Sequence, residues 1–155
     1  MATPMSSAST LSLHSGLPLA NGTHYQSIMG ALQYCTLTRP DIAFSVNKAC
    51  QFMHSPTDSH WQVVKHILRY LAGSIDYGFF YQPSTDPTLL CYIDADWASC
   101  PNDRRITSAF CIFHGVNLIS WSSSKQRVVS RSSTEFEYRS LANGTAELLW
   151  LRSLF

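Results

Sequence analysis

The spacing of apolar residues in this chain changes near residue 77, and that change restricts it to a mixed fold. Before it, apolar side chains recur every three or four positions; after it, they alternate. In THYQSIMGALQYCTL, Tyr25, Ile28, Met29, Leu32 and Cys35 share one helical face, and Thr23 with Gln26 has capping-box spacing. Pro40 and Asp41 suit the first turn of a second helix, whose stripe is Ile42, Val46, Ala49, Cys50 and Met53. A third helix is predicted from Ser55 as cap, Pro56 at the first position and Asp58 beyond it. Its apolar face reads Trp61, Val64, Leu68 and Leu71, and Gly73 suits its end.

From about residue 77, YGFFYQ and LLCYIDADW read as strands separated by the turn-rich PSTDP. SAFCIFHGVNLISW reads as a hairpin turning at HGVN, and a long helix starts near Ser132 and runs to the chain end. The order predicts an α+β fold: a small three-helix unit, then a sheet with a long C-terminal helix packed on it. Residues 1–23 contain no Asp, Glu, Lys or Arg and are expected to be a disordered tail. The helical segment is expected over 24–76 and the sheet-and-helix segment over 77–155.

With 155 residues, 45% of them hydrophobic, the chain has enough material for a packed core. No apolar run approaches the roughly 18 to 20 residues that span a bilayer, so no membrane partner is expected. The 11 basic and 10 acidic residues nearly cancel, so any affinity for nucleic acid must come from local patches. The five cysteines form no Cys-x-x-Cys pair, which predicts reduced thiols and an intracellular location, in cytoplasm or nucleus.

Two pairs of acids stand out against this background. In CYIDADWASC, Asp94 and Asp96 must leave the same face of a strand, where their charges repel. They either end the strand in solvent or hold a cation. In SRSSTEFEYRSLANGTAELL, Glu135 is explained by capping-box spacing from Ser132 and by Arg139 four residues on. Glu137 instead heads a stripe with Leu141 and Leu148 that should face the sheet, so it is either a second capping group, with Thr134, or a ligand. Carboxylates on a strand and on the helix across it make half of a site for Mg²⁺ or Mn²⁺.

Three stretches carry a resemblance: TRPDIAFSVNKACQFMHSPTDSHWQVVKHILRYLAGS, YIDADWASCPNDRRITSAFCIFHGVNLISWSSSKQ and VSRSSTEFEYRSLANGTAELLWLRSL. Together they span about residues 25–155 and closely resemble the polyproteins of copia-type LTR retrotransposons, plant ones especially. The resemblance implies that the helical segment is the thumb and connection at the end of a reverse transcriptase. It implies that the rest is the front half of a ribonuclease H domain, an enzyme that cuts RNA in RNA–DNA hybrids with two Mg²⁺ or Mn²⁺ ions. On that likeness the strand acid of the site matches Asp94 and the helix acid matches Glu137, with Asp96 as a further metal-site candidate.

Basic residues Arg104, Arg105, Lys125, Arg127 and Arg131 flank the strands, and Lys65 and Arg69 lie four residues apart on the third helix. All seven are candidates for contacting nucleic-acid phosphates or for a solvated surface. Under the same resemblance Ser132 and Ser133 are candidates for approaching a substrate 2′-hydroxyl. The family's Tyr-x-Asp-Asp segment is absent from the chain, and its later ribonuclease H aspartate is not met before Phe155, so the two-ion site is expected to be incomplete. Two functions follow from the resemblance. One is a truncated ribonuclease H-like fragment whose ancestral activity is two-metal hydrolysis. The other is an inactive retroelement remnant that at most binds nucleic acid or other polyprotein chains.

Overall fold

A computed structural model describes residues 3–5, 11–12, 15–96, 107–126 and 132–155. Among these the chain has four α-helices and one three-stranded antiparallel sheet, an α+β fold divided into two units between Phe79 and Phe80.

The first unit is built on α1 (Thr23–Cys35), a 3-10 turn (Pro40–Ile42), α2 (Ala43–Cys50) and α3 (Asp58–Ala72). Its core is the meeting of the expected stripes of α1 and α2, where Tyr25, Met29, Leu32, Ile42, Val46 and Ala49 are all buried. Tyr25 crosses between these helices, its hydroxyl donating to the Ala49 carbonyl at 2.8 Å. The third helix buries Val64 as the sequence predicts, with Trp61 and Leu71 partly buried against the same core, but its most buried line lies slightly to one side. His60, Val64, Ile67 and Tyr70 are buried, while Leu68 is exposed. The rotation is allowed because both polar members find partners: Tyr70 donates to Asp41 Oδ2 at 2.8 Å, and His60 is enclosed by Thr57 and Ser12.

The α3 cap also differs from expectation. Thr57, not Ser55, has the extended backbone of an N-cap, and it forms a capping box with His60. At α1 the expected Thr23–Gln26 box does not form: Gly22 is the cap, Thr23 N donates to Asn21 Oδ1, and Gln26 reaches the Met53 carbonyl.

Part of the expected disordered tail is bound. Asp58 N donates to the Leu17 carbonyl at 2.9 Å, Leu19 N to Pro56 O at 3.0 Å, and Thr57 Oγ1 to Ser15 O at 2.6 Å. Leu11 is buried. The segment crosses the start of α3, where first-turn N–H groups have no partner inside the helix and offer bonds to a passing strand. Gly16 (φ +84°) makes the crossing possible, since a side chain there would collide with Asp58 Oδ1 and Ser59 Oγ.

The second unit contains β1 (Leu89–Asp96), β2 (Thr107–His114), β3 (Asn117–Lys125) and α4 (Ser133–Leu154). The sheet order is β1-β2-β3, and the β2–β3 hairpin turns at Gly115 (φ +57°) as the sequence predicts. YGFFYQ forms no strand. Its end is held instead by a side chain: Gln82 N and O pair with the Asn117 amide, both at 2.8 Å, and Phe80 and Tyr81 stay exposed. The long helix α4 begins where expected, with Ser132 as cap, and lies chiefly over β1.

Candidate functional site

The face of α4 that meets the sheet is Phe136, Ser140, Gly144 and Leu151, all buried. This is one position away from the expected stripe: Glu137 and Leu141 are exposed. Small residues explain the choice. Gly144 lies directly on Ile93 and Cys91 of β1, where a Cβ would stand 2.6 Å from Ile93 Cδ1. Ser140 and Gly144 let the backbones approach closely, and a stripe of leucines would hold the helix farther away.

That contact also assigns the faces of the sheet. Cys91 and Ile93 point toward α4, so Asp94, between Ile93 and Ala95, points to the other side. There it shares a face with Tyr92, whose ring meets Phe113 edge-on at 5.8 Å, and it lies opposite Ala109 in the register. Asp94 is exposed.

Along the unit, however, the two acids are at the same end. The far end of α4 reaches the start of β1: Phe155 stacks on His114 at 5.0 Å, and His114 pairs with Leu89. The near end, at Arg139, shares a cavity with Ser108, Ser124 and Lys125, close to the Asp96–Thr107 and Thr107–Lys125 pairs. Asp94 and Glu137 therefore reach solvent where β1 stops and α4 starts, from opposite layers of the unit.

Among the described residues no three His, Cys, Asp or Glu side chains stand close enough to hold a metal ion. Asp96 pairs with Thr107 in the sheet, and its side chain lies outside the described residues. Arg104, Arg105, Arg127 and Arg131 also lie outside them. Of the remaining basic candidates, Lys125 is half-buried at the end of β3, and Lys65 and Arg69 lie on α3 of the first unit, half-buried and exposed respectively. Glu135 has the role the spacing predicts: its backbone N–H donates to Ser132 Oγ, and its carboxylate pairs with Arg139 at 2.7 Å.

The sequence is 49% identical to the retrovirus-related Pol polyprotein from transposon RE2 of Arabidopsis thaliana, over 154 residues and 99% of this chain. The chain belongs to the Pol polyproteins of copia-type retrotransposons. It spans about a tenth of the length of the Pol relatives it matches, 11% of RE2 and 10% of RE1. Shorter relatives of this Pol segment also exist. An uncharacterized mitochondrial protein of Arabidopsis thaliana is 47% identical over 95% of the chain, which covers 62% of that protein. The secreted RxLR effector protein 161 of Plasmopara viticola is 41% identical over 82% of the chain, which covers 90% of it. No family model and no solved structure matches the sequence.

The sequence reading of this Pol segment missed one group of residues. Ser120, Ser122 and Ser124 alternate along β3 on the side facing α4, as the cross-strand pairs Ile112–Ser120, Phe110–Ser122 and Ser108–Ser124 require. A strand face covered by a helix is ordinarily apolar, and three hydroxyls at period two in LISWSSSKQ are the signal that this face stays open beside α4. No helix among the described residues is long and apolar enough to cross a membrane.

Proposed function

We propose that this chain supplies the ribonuclease H-like part of a retrotransposon Pol polyprotein, acting on the RNA strand of RNA–DNA hybrids. The observation that carries the reading is the common exposure of Asp94 and Glu137 at one end of the second unit, the two acids that match the family's site. Their carboxylates would supply part of the negative charge that holds divalent cations, Mg²⁺ or Mn²⁺, with Asp96 as a further contributor. Two acids are fewer than such a centre uses, so the activity is assigned to the polyprotein, in which other acids or other polyprotein chains complete the site. Lys125, Lys65, Arg69, Arg104, Arg105, Arg127 and Arg131 are the proposed phosphate contacts, a sequence-independent role in keeping with substrate shape recognition.

The test is cleavage of a labelled RNA–DNA hybrid in Mg²⁺ or Mn²⁺ by this chain and by a Pol polyprotein carrying it in place of its own segment. Cleavage in either setting that disappears in both Asp94→Asn and Glu137→Gln, with circular dichroism unchanged, supports the reading. Cleavage indifferent to both substitutions, or absent in both settings, overturns it.

A further inference from the structure

Because α4 lies chiefly over β1, the same face of β2 and β3 is open beside it. Two adjoining cavities of about 710 and 360 Å³ share Ser108, Ser124 and Asn143, and so form one groove between the hairpin and the helix flank. Its floor is the hydroxyl rows of Ser108, Ser122 and Ser124. Its wall is kept low by Ala142 and Ala146.

The two ends differ in chemistry. At one end are Lys125, Arg139 and Gln126, each of which carries N–H donors. Gln126 Nε2 is buried with no hydrogen-bond partner among the described residues, a donor that calls for an acceptor. Arg139 gives one Nη to Glu135, and a guanidinium has more donors than one carboxylate contact uses. At the other end Glu147 accepts from Ser120 Oγ at 3.2 Å, and Phe110 offers the ring surface of this end. Arg139 and Glu147 are separated by about 12 Å along the helix.

We infer that this groove binds a nucleoside monophosphate unit, either free or as one nucleotide of a single strand. Its phosphate lies among Lys125, Gln126 and Arg139, its sugar along the serine hydroxyls and Asn143, and its base against Phe110, with a base or sugar donor turned to Glu147. A phosphate carries an acceptor for the unpartnered Gln126 Nε2, and an aromatic base has the flat face that a ring can stack on. The groove is on the α4 side of the sheet and Asp94 on the other; Lys125 is shared with the proposed phosphate contacts, but the inference does not need the acids proposed for hydrolysis.

The experiment is a titration of the full chain, followed by ¹⁵N NMR and calorimetry, with adenosine 5′-monophosphate, inorganic phosphate, adenosine and a short single-stranded RNA. Saturable shifts at Ser108, Ser124 and Asn143 are expected with the nucleotide or the RNA. Phosphate and adenosine alone should each bind at least about tenfold more weakly, having lost one set of charge-assisted or stacking contacts. Asn143→Leu and Ser124→Val, both at exposed positions, should each weaken binding roughly tenfold, and Asp94→Asn should not change it. Tighter binding of the RNA identifies a strand as the source, and tighter binding of the monophosphate a free nucleotide. No saturable shift in the groove, phosphate binding as tightly as nucleotide, unaltered affinity in both groove variants, or loss of binding in Asp94→Asn would each overturn the inference.

Discussion

Gly144 of α4 rests on Ile93 of β1 with no room for a side chain between them: a Cβ would stand 2.6 Å from Ile93 Cδ1 and 3.2 Å from Cys91 Sγ. Gly144→Val is therefore expected to destabilise the second unit by ~2 kcal/mol, the usual scale of an overpacked contact. Urea unfolding measures the loss. Adding Ile93→Ala should recover part of it, because residues in contact do not combine additively. Strictly additive losses would show that the collision is not the cause.

The start of α4 separates a cap from a surface ion pair. Ser132 Oγ accepts the Glu135 N–H at 3.1 Å, whereas the Glu135–Arg139 pair sits at the surface. Ser132→Ala should cost about 1 kcal/mol. Glu135→Gln should cost only a few tenths, since exposed i,i+4 pairs contribute little. Thermal melts of the two variants side by side test the ranking, and an equal cost would contradict it.

In the first unit, Arg39 grips Asp41 through Nε at 3.0 Å and Nη2 at 2.7 Å, and also reaches the Ser74 carbonyl at 3.0 Å. A lysine cannot reproduce that fork, so Arg39→Lys is expected to lower stability by ~1–2 kcal/mol. The hydrogen bonds from Arg39 hold the Asp41 carboxyl below its usual range. Its contribution is thus complete above the ordinary value of 3.8 and fades as pH falls through the lowered one. Acid unfolding should accordingly be steeper in the wild type than in Asp41→Asn.

His60 carries the opposite proton dependence. It is fully buried, stacked on Phe52 at 3.9 Å, with Thr57 N donating to Nδ1 at 3.0 Å and Nε2 at 3.1 Å from the Ser12 carbonyl. Nδ1 therefore accepts and Nε2–H donates, a neutral ring, and burial pushes its pKa down from 6.5. The unfolded chain takes up the proton first, so stability is full above about pH 6.5 and declines as pH falls toward the lowered folded value. Protection factors of the Leu17 and Leu19 amides, which the same corner holds, should fall between about pH 7 and 5 once the intrinsic pH dependence of exchange is divided out. His60→Gln should flatten that dependence; an unchanged slope would remove His60 as its source.

Much of this architecture was legible in the chain. Stripes on α1 and α2 named the buried residues because Tyr25, Met29, Leu32, Ile42, Val46 and Ala49 are apolar and face apolar partners. The HGVN turn and the Ser132 cap were equally readable, since each depends on local chemistry. The α4 stripe was misread by one position and the α3 stripe at Leu68. Hydrophobicity favoured Leu68 and Leu141, but the buried faces use Tyr70, His60, Ser140 and Gly144. Polar tips that find partners and small residues that permit close contact are invisible to an apolar count.

The acids divide along the same line. Period-two alternation placed Asp94 on one face of a strand, and capping rules separated Glu135 from Glu137. Which face of β1 receives α4 was settled by the fit of Gly144 to Ile93, a contact between residues far apart in sequence. The amino-acid order determined most of the elements, the Ser132 cap and the retroelement ancestry, because these depend on near neighbours or on motif identity. Only the tertiary structure decided that Asp94 and Glu137 share an end but not a layer, because close packing between distant segments sets the rotation of a helix on a sheet.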